Sequence, residues 1–391
     1  VIESDSILCY NITKFELLSQ QFIGGFMLIN DLLNKMLEKK ASDLHLKVGR
    51  PPLLRIDGKI TQVELPLLTE ADIEEMLFAM MSQRQRVKFA EANEIDLSYS
   101  PTGSARYRIN AFRQKSTIEI IIRMIPKDIP SFDALTLPPI LKKVALESRG
   151  LILMTGATGS GKSTTLASLV KYINDNQPYH IITIEDPIEF MHTDSMSSVT
   201  QRELGIDTDS YDVALKYVLR QDPDVVFIGE MRDIDTVSAA ISAGETGHLV
   251  LSTLHTIDAS QTIDRLIDFY PASQQNQIRN QLANIITAII SMRLIEKADG
   301  KGRVPAVEVM LGTPTIKSLI RENKLSSIKS MIQQGSAQYG MQTFDQSLAE
   351  LYKKGLITLD MALAEATSKN DLKLSLSGII SSVDSAREQM K

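Results

Sequence analysis

Residues Gly156, Ala157, Thr158, Gly159, Ser160, Gly161, Lys162 and Ser163, followed by Thr164, carry the most specific chemistry in this chain. They match the phosphate-loop pattern in full, with a second internal glycine. Glycines at these positions let backbone N–H groups converge on phosphate oxygens. The start of the following helix adds about half a positive charge. Lys162 is placed to reach the β- and γ-phosphates of ATP, and the Ser163 hydroxyl to bind Mg2+. A glycine-rich turn without a ligand is the plain alternative. The apolar run 151–155 before the loop and the helical pattern 162–172 after it weigh against that alternative.

Two acidic groups follow two further apolar runs. The run 225–228 ends in Gly229 and Glu230, and the run 181–185 opens into Glu185, Asp186, Pro187, Ile188 and Glu189. P-loop enzymes ordinarily set a magnesium-binding Asp at the end of a second strand; here the acid is a Glu, displaced by one position. A single loop Glu is normally only solvated. Strand ends of a parallel sheet gather at one edge, where ligands bind. Glu189 is therefore expected to orient the attacking water, and Glu230 to hold Mg2+ directly or through water. His248 and His255 flank the run 249–253. Each alone reads as an ordinary core or edge histidine. No clustered Cys, His and carboxylate set accompanies them to make a metal pair.

These residues need a sheet to position them, and the chain is long enough to build one. Its 391 residues exceed a single ordinary core, so two or three domains are expected. Apolar runs at 151–155, 181–185, 225–229 and 249–253 alternate with helical segments, the pattern of a parallel sheet covered on both faces. Upstream, residues 27–125 read as a smaller α+β domain: a helix over 29–40, strands at 43–47 and 53–57, and a turn at Asp57-Gly58. Thr69 caps a helix through Asp72, and strands follow at 105–113 and 117–124. In 105–113, Tyr107, Ile109 and Ala111 point one way, and Arg106, Arg108 and Asn110 the other. Pro126, Pro130, Pro138 and Pro139 mark a linker over 126–139. The ATPase domain follows over 140–314, and helices alone are expected in 315–391. Residues 281–295 are apolar but broken by Asn284, Thr287 and Ser291, and read as a packed helix. Residues 1–26 show no clear period and are expected to lie outside the fold.

The net charge of −6 argues against a nucleic-acid partner, since neutralising phosphates requires clustered Lys and Arg. The one cysteine, Cys9, excludes an internal disulfide and any zinc site on paired cysteines. No stretch reaches the roughly 18 apolar residues of a membrane span. The N-terminus carries Glu3 and Asp5 where a secretion signal would be positive, so a cytoplasmic location is expected.

Several segments together resemble the type IV pilus retraction ATPases of the secretion NTPase superfamily. The stretch 184–190 resembles the family's aspartate box, 222–233 (DPDVVFIGEMRD) its unusual second acidic motif, and Gly247-His248 through Leu254-His255 its histidine box. Ala41 through Leu46 and Gln201-Arg202-Glu203-Leu204-Gly205 match as well, and the likeness runs from 27 to about 370. It implies a PAS-like N-terminal domain, a RecA-like P-loop domain with C-terminal helices, and a homohexamer with nucleotide between the two domains. It also implies arginines that complete the site from a neighbouring subunit, with Arg106, Arg108, Arg113 and Arg123 as the candidates. For His248 and His255 it implies γ-phosphate sensing or strand coupling. The implied partners are a platform protein of the inner membrane at the pilus base, on its cytoplasmic face, and a paralogous retraction ATPase. Residues 312–322 resemble the family's C-terminal helix motif, usually AIRNLIRE, with Thr315, Lys317 and Ser318 departing from it. Two other readings stand beside retraction. One is an accessory, nucleotide-gated ring of the pilus machine. The other is a pilus or type II secretion assembly ATPase, whose relatives usually carry a four-cysteine zinc element that this chain lacks.

Overall fold

In the computed structural model, residues 29–56, 58–101, 105–126 and 128–376 are described. The extension 1–26 and Asp57 of the expected turn lie outside these. Contacts divide the chain into two units, Val1–Pro126 and Lys127–Lys391.

The first unit is an antiparallel sheet with helices packed against it. Its elements run α1 (Ile29–Glu38), β1 (Asp43–Lys47), β2 (Leu53–Ile56), β3 (Lys59–Gln62), α2 (Glu70–Met80) and α3 (Gln83–Ala92). Then come β4 (Glu94–Tyr99), β5 (Arg106–Gln114) and β6 (Thr117–Ile125). Strand order is β3-β2-β1-β6-β5-β4. The capping box at Thr69 forms as expected: its hydroxyl accepts from the Asp72 N–H, and the Asp72 carboxylate accepts from the Thr69 N–H. Tyr107, Ile109 and Ala111 are fully buried with Ile120 and Ile122, so alternation fixes the core face of β5.

The second unit carries α4 (Ile140–Ala145), β7 (Gly150–Thr155), α5 (Lys162–Asn176), β8 (His180–Glu185), β9 (Ser198–Glu203), α6 (Tyr211–Val218), β10 (Val225–Ile228), α7 (Ile234–Glu245) and β11 (Leu249–Leu254). It continues with α8 (Ala259–Asp268), α9 (Ala272–Ile285), β12 (Ile286–Glu296), β13 (Arg303–Leu311) and α10 (Pro314–Arg321), followed by further short helices to Leu376. The sheet order is β13-β12-β7-β11-β10-β8-β9. All pairs are parallel except β12 with the edge strand β13. Leu151, Leu153, Ile184, Val226 and Val250 pack under α6 to α10. Ile152, Met154, Ile181, Val225 and Leu251 pack against α4 and α5. Burial on both faces explains why these strands read as continuous apolar runs.

Two features differ from the sequence reading. The apolar stretch 281–295 is not one helix: α9 ends at Ile285 and β12 begins at Ile286, inserted between β7 and β13. The β-branched run Ile286, Thr287, Ile289 and Ile290 suits a central strand, and the polar residues do not interrupt a helix face there. The proline segment is not loose along its length either. Phe132 and Leu137 enter the core beside α5. Phe132 meets Tyr172 edge-on at 5.2 Å, and the Ser168 hydroxyl donates to the Pro130 carbonyl at 2.7 Å.

Candidate functional site

The parallel sheet brings the carboxyl ends of β7, β8, β10 and β11 to one edge. β7 runs into the phosphate loop, where Gly156, Gly159 and Gly161 all take positive φ. At Gly156 a Cβ would lie 2.5 Å from the Met292 carbonyl and 2.6 Å from Ser160 Oγ, so only glycine fits. Gly161 caps α5, and Lys162 and Ser163 open it. The first N–H groups of that helix have no intrahelical acceptor and point toward the loop.

Lys162 is buried beneath the loop. Its Nζ donates to the carbonyls of Gly156 (2.6 Å) and Ala157 (2.9 Å). It also lies 3.4 Å from His255 Nδ1. Burial holds the ammonium below the ordinary lysine range, opposed by the charges of Glu230 and Glu189. Both acids therefore converge electrostatically on the phosphate-loop lysine, although they follow different strands.

Glu230 is the hub. Its Oε1 lies 3.1 Å from His255 Nε2. Its Oε2 accepts from Arg232 Nε and Nη2 at 2.8 Å each. Arg232 in turn approaches Asp186 at 3.8 Å. One line thus joins Lys162, His255, Glu230, Arg232 and Asp186 across the ends of three strands. At Gly229, where the ordinary acid would stand, there is little room for a side chain. A Cβ there would meet the Tyr211 hydroxyl at 2.8 Å and the Ile184 carbonyl at 3.2 Å. The Thr253 hydroxyl also donates to the Gly229 carbonyl at 2.7 Å.

Glu189 is exposed at the end of the loop after β8. Sequence reasoning did not assign a role to the buried Glu185 beneath it. Burial pushes the Glu185 carboxyl up to about 7, opposed by hydrogen bonds from Thr183 and Gln201 and by the backbone at Glu189. Its place within the acidic cluster was the available signal. Arg232, two residues beyond the predicted acid, is a further member of the site that the motif spacing alone does not single out.

His248 does not join this group. It lies before β11, at the opposite edge of the sheet from the loop, and its Nδ1 sits 3.0 Å from Thr246 Oγ1 and 3.1 Å from the Ala243 carbonyl. Within one chain it is a turn-stabilising histidine; His255, at the other end of the same strand, is the one that reaches the phosphate loop.

The first unit sorts the four candidate arginines. Register places Arg55, Asp43, Arg123 and Arg108 directly opposite one another across β2, β1, β6 and β5, on one sheet face. Asp43 accepts from Arg123 Nε at 2.8 Å and lies 3.5 Å from Arg55 Nε. Burial would raise the Asp43 carboxyl, but the Arg123 and Ser42 bonds and the Arg55 charge hold it below the ordinary range. Arg108 pairs with Asp96 at 3.6 Å. Arg106 shares this face by alternation. Arg113 falls on the other face, its guanidinium 5.6 Å from the Phe89 ring centroid. Arg55 is a further member of the row.

A glycine loop between a central parallel strand and a helix, with acids and a histidine at the neighbouring strand ends, defines a P-loop nucleoside triphosphatase of the RecA-like class. The family model of Type II/IV secretion system proteins matches residues 20–382, and this chain belongs to that family. The chain is 44% identical over 343 residues to the type IV pilus ATPase PilU of Pseudomonas aeruginosa, covering 88% of this chain and 90% of the relative. It is likewise 44% identical over 338 residues to the PilT retraction ATPase of the same organism, covering 86% and 98%. The crystal structure of the pilus retraction motor PilT with bound ADP superimposes with a TM-score of 0.83 at 44% identity, over 89% of this chain and 99% of that one. The chain is a homologue of the pilus retraction ATPases. Among the described residues no helix is long and apolar enough to cross a membrane.

Proposed function

We propose that this chain hydrolyses ATP as a homohexameric motor of type IV pilus retraction, working at the cytoplasmic face of the inner membrane against a platform protein of the pilus base. The observation that carries the reading is the line from Lys162 through His255 to Glu230, built on a fold shared with an ADP-bound retraction motor. In this reading residues 156–164 cradle the phosphates, Lys162 turns from its carbonyl partners to the β- and γ-phosphates, and Glu189 orients the attacking water. Among the described residues no group of three or more His, Cys, Asp or Glu could itself cage a metal. The donors present, the Ser163 hydroxyl and the Glu230 carboxylate, fit a magnesium ion carried mainly by nucleotide oxygens and water. Such an ion would neutralise charge developing on the transferred phosphoryl group. Both Glu230 oxygens are engaged by His255 and Arg232, so Glu230 is assigned to Mg2+ through water. The Arg55, Arg123 and Arg108 row, with Arg106 beside it, is the surface assigned to complete a neighbouring subunit's site. A paralogous retraction ATPase is a further assigned partner.

Steady-state ATPase activity of the purified ring separates a motor from a nucleotide-gated accessory ring. Lys162→Ala is expected to abolish turnover, and imaging of pili in cells carrying it is expected to show extension without retraction. Wild-type hydrolysis in that variant would refute the assignment of the loop; shortening of pili at the wild-type rate would refute the motor role.

A further inference from the structure

The backbone around Glu189 is held by side chains rather than by its own turn. The Ile188 N–H donates to Glu203 Oε2 at 3.2 Å. The backbone at Glu189 lies close enough to the buried Glu185 carboxyl to oppose its upward shift. The Phe190 carbonyl accepts from Gln201 Nε2 at 2.9 Å. Gln201 is used from both ends, because its Oε1 accepts the His192 N–H at 2.8 Å while Nε2 also reaches Glu185 Oε1 at 3.2 Å. A flipped amide would set its oxygen against a carbonyl and a carboxylate, so the orientation is fixed. The Thr183 hydroxyl completes the set, donating to Glu185 at 2.6 Å.

The backbone at Ile188, Phe190 and His192 is thus gripped by side chains of the neighbouring edge strand β9. Glu185 and Glu203 are 7% and 2% exposed. Burying two carboxyls under one loop is costly, and a loop needed only for connection would be held by neutral groups. Such a cost is understandable where a nearby side chain must be kept within a fraction of an ångström of its working position.

We propose that Gln201 and Glu203 are positioning residues for ATP hydrolysis, acting through the backbone of residues 188–190 to aim the Glu189 carboxylate. The proposal rests on the reading of Glu189 as the water-orienting acid. Gln201→Glu keeps the acceptor for His192 but removes the donor to Phe190 and brings a second carboxylate to Glu185. In the full-length protein it is expected to lower kcat about tenfold or more while KM for ATP and the affinity for a fluorescent ADP analogue change less than about twofold. In a Glu189→Gln background the same substitution is expected to lower kcat no further, because both changes remove one function. Multiplying effects, an equal loss of ADP affinity, or wild-type kcat in Gln201→Glu would each overturn the positioning role.

The Glu203 pair keeps the test open should Gln201→Glu fail to fold. Glu203→Gln retains an acceptor for the Ile188 N–H and is expected to keep near wild-type kcat; Glu203→Met, of similar size without that acceptor, is expected to lose about tenfold with KM unchanged. Equal kcat in the two variants would overturn the role of Glu203. If Glu189→Gln alone turns over at the wild-type rate, the catalytic reading itself fails. That result differs from failure of the positioning role, in which Glu189→Gln is slow but the Gln201 and Glu203 variants are not.

Discussion

Glu308 allows a quantitative test of the interior of the second unit that does not touch the nucleotide site. It sits on β13, buried, with its Oε1 accepting the Ala259 N–H at the start of α8 at 3.0 Å. Burial pushes its carboxyl from 4.5 up to about 7; the Asp258 charge adds to this, and Lys329 and Arg293 oppose it. A carboxyl raised in the folded state binds a proton there that the unfolded chain has already released. Its contribution to stability is therefore fully present below about pH 4.5, declines as pH rises, and is lost above about pH 7. A displacement of that size corresponds to a cost on the order of 3 kcal/mol above neutrality. Glu308→Gln removes the titration while keeping a side-chain acceptor for Ala259. Its stability relative to wild type is expected to rise between pH 5 and pH 8 by up to that amount, or about 6–10 °C in apparent Tm for a unit of this size. Glu185 titrates over the same range, but in both proteins, so the comparison cancels it. Thermal melts of nucleotide-free protein at the two pH values are the assay. A gap between variant and wild type that is the same at both would refute the reasoning, since a lost contact or a better-packed amide would act at either pH.

Four further expectations follow from the site and the helices around it. Glu230→Gln weakens the Arg232 and His255 contacts and is expected to lower kcat by at least about tenfold with nucleotide affinity largely kept; an affinity loss as large as the kcat loss would argue against it. Rings mixing Arg123→Ala subunits with Lys162→Ala subunits are expected to recover some ATPase activity at interfaces pairing two intact halves, and no recovery at any ratio would argue against an arginine acting in trans. On α10, Ile316 and Ile320 are fully buried, so Ile320→Ala is expected to cost about 2–5 kcal/mol in thermal or denaturant unfolding. The resemblance of 312–322 to the retraction family's C-terminal motif favours a role in coupling the ring to its pilus-base partner; that role is tested at the exposed Arg321 and Glu322, where the double alanine variant is expected to keep ATPase activity and lose retraction in cells.

Much of the architecture was readable because the physics is local. A phosphate cradle demands glycines at fixed positions, and strands buried on both faces must be apolar throughout, so β7, β8, β10 and β11 stand out in the chain. The α9 to β12 junction was not readable for an equally physical reason. Helix passes into strand at Ile285–Ile286 with no Gly or Pro between, and only the neighbouring strands β7 and β13 make the second half extended. Periodicity could not separate His248 from His255 either. They bracket one strand, and a six-residue strand rising about 3.3 Å per residue carries its two ends roughly 20 Å apart, to opposite edges of the sheet. The arginines were half legible: continuing the alternation of β5 by two residues puts Arg113 with Tyr107 and Ile109, away from Arg106 and Arg108. In the sequence Gln201 and Glu203 stand out only as part of a family motif, because their targets lie 11 and 15 residues away on another strand's loop.

The hydrogen-bond arithmetic at Lys162 links nucleotide binding to the acid on β10. An ammonium has three N–H donors and no acceptor. Here its three neighbours are the Gly156 carbonyl, the Ala157 carbonyl and His255 Nδ1. Because Lys162 can only donate, Nδ1 must accept, and the proton of a neutral imidazole then resides on Nε2, facing Glu230 Oε1. The lysine thus selects the tautomer that ties His255 to the acid. Phosphate oxygens can gain Lys162 only by replacing these partners. When they do, Nδ1 loses its charged donor while the Nε2–Glu230 contact and the Arg232 bonds to the same carboxylate remain available. If Lys162 is drawn to a γ-phosphate as proposed above, the change would reach His255 Nδ1, at the end of β11 and one side chain from Glu230. No movement of the sheet is required, since every group in the line is fixed to a strand end or to the first turn of α5.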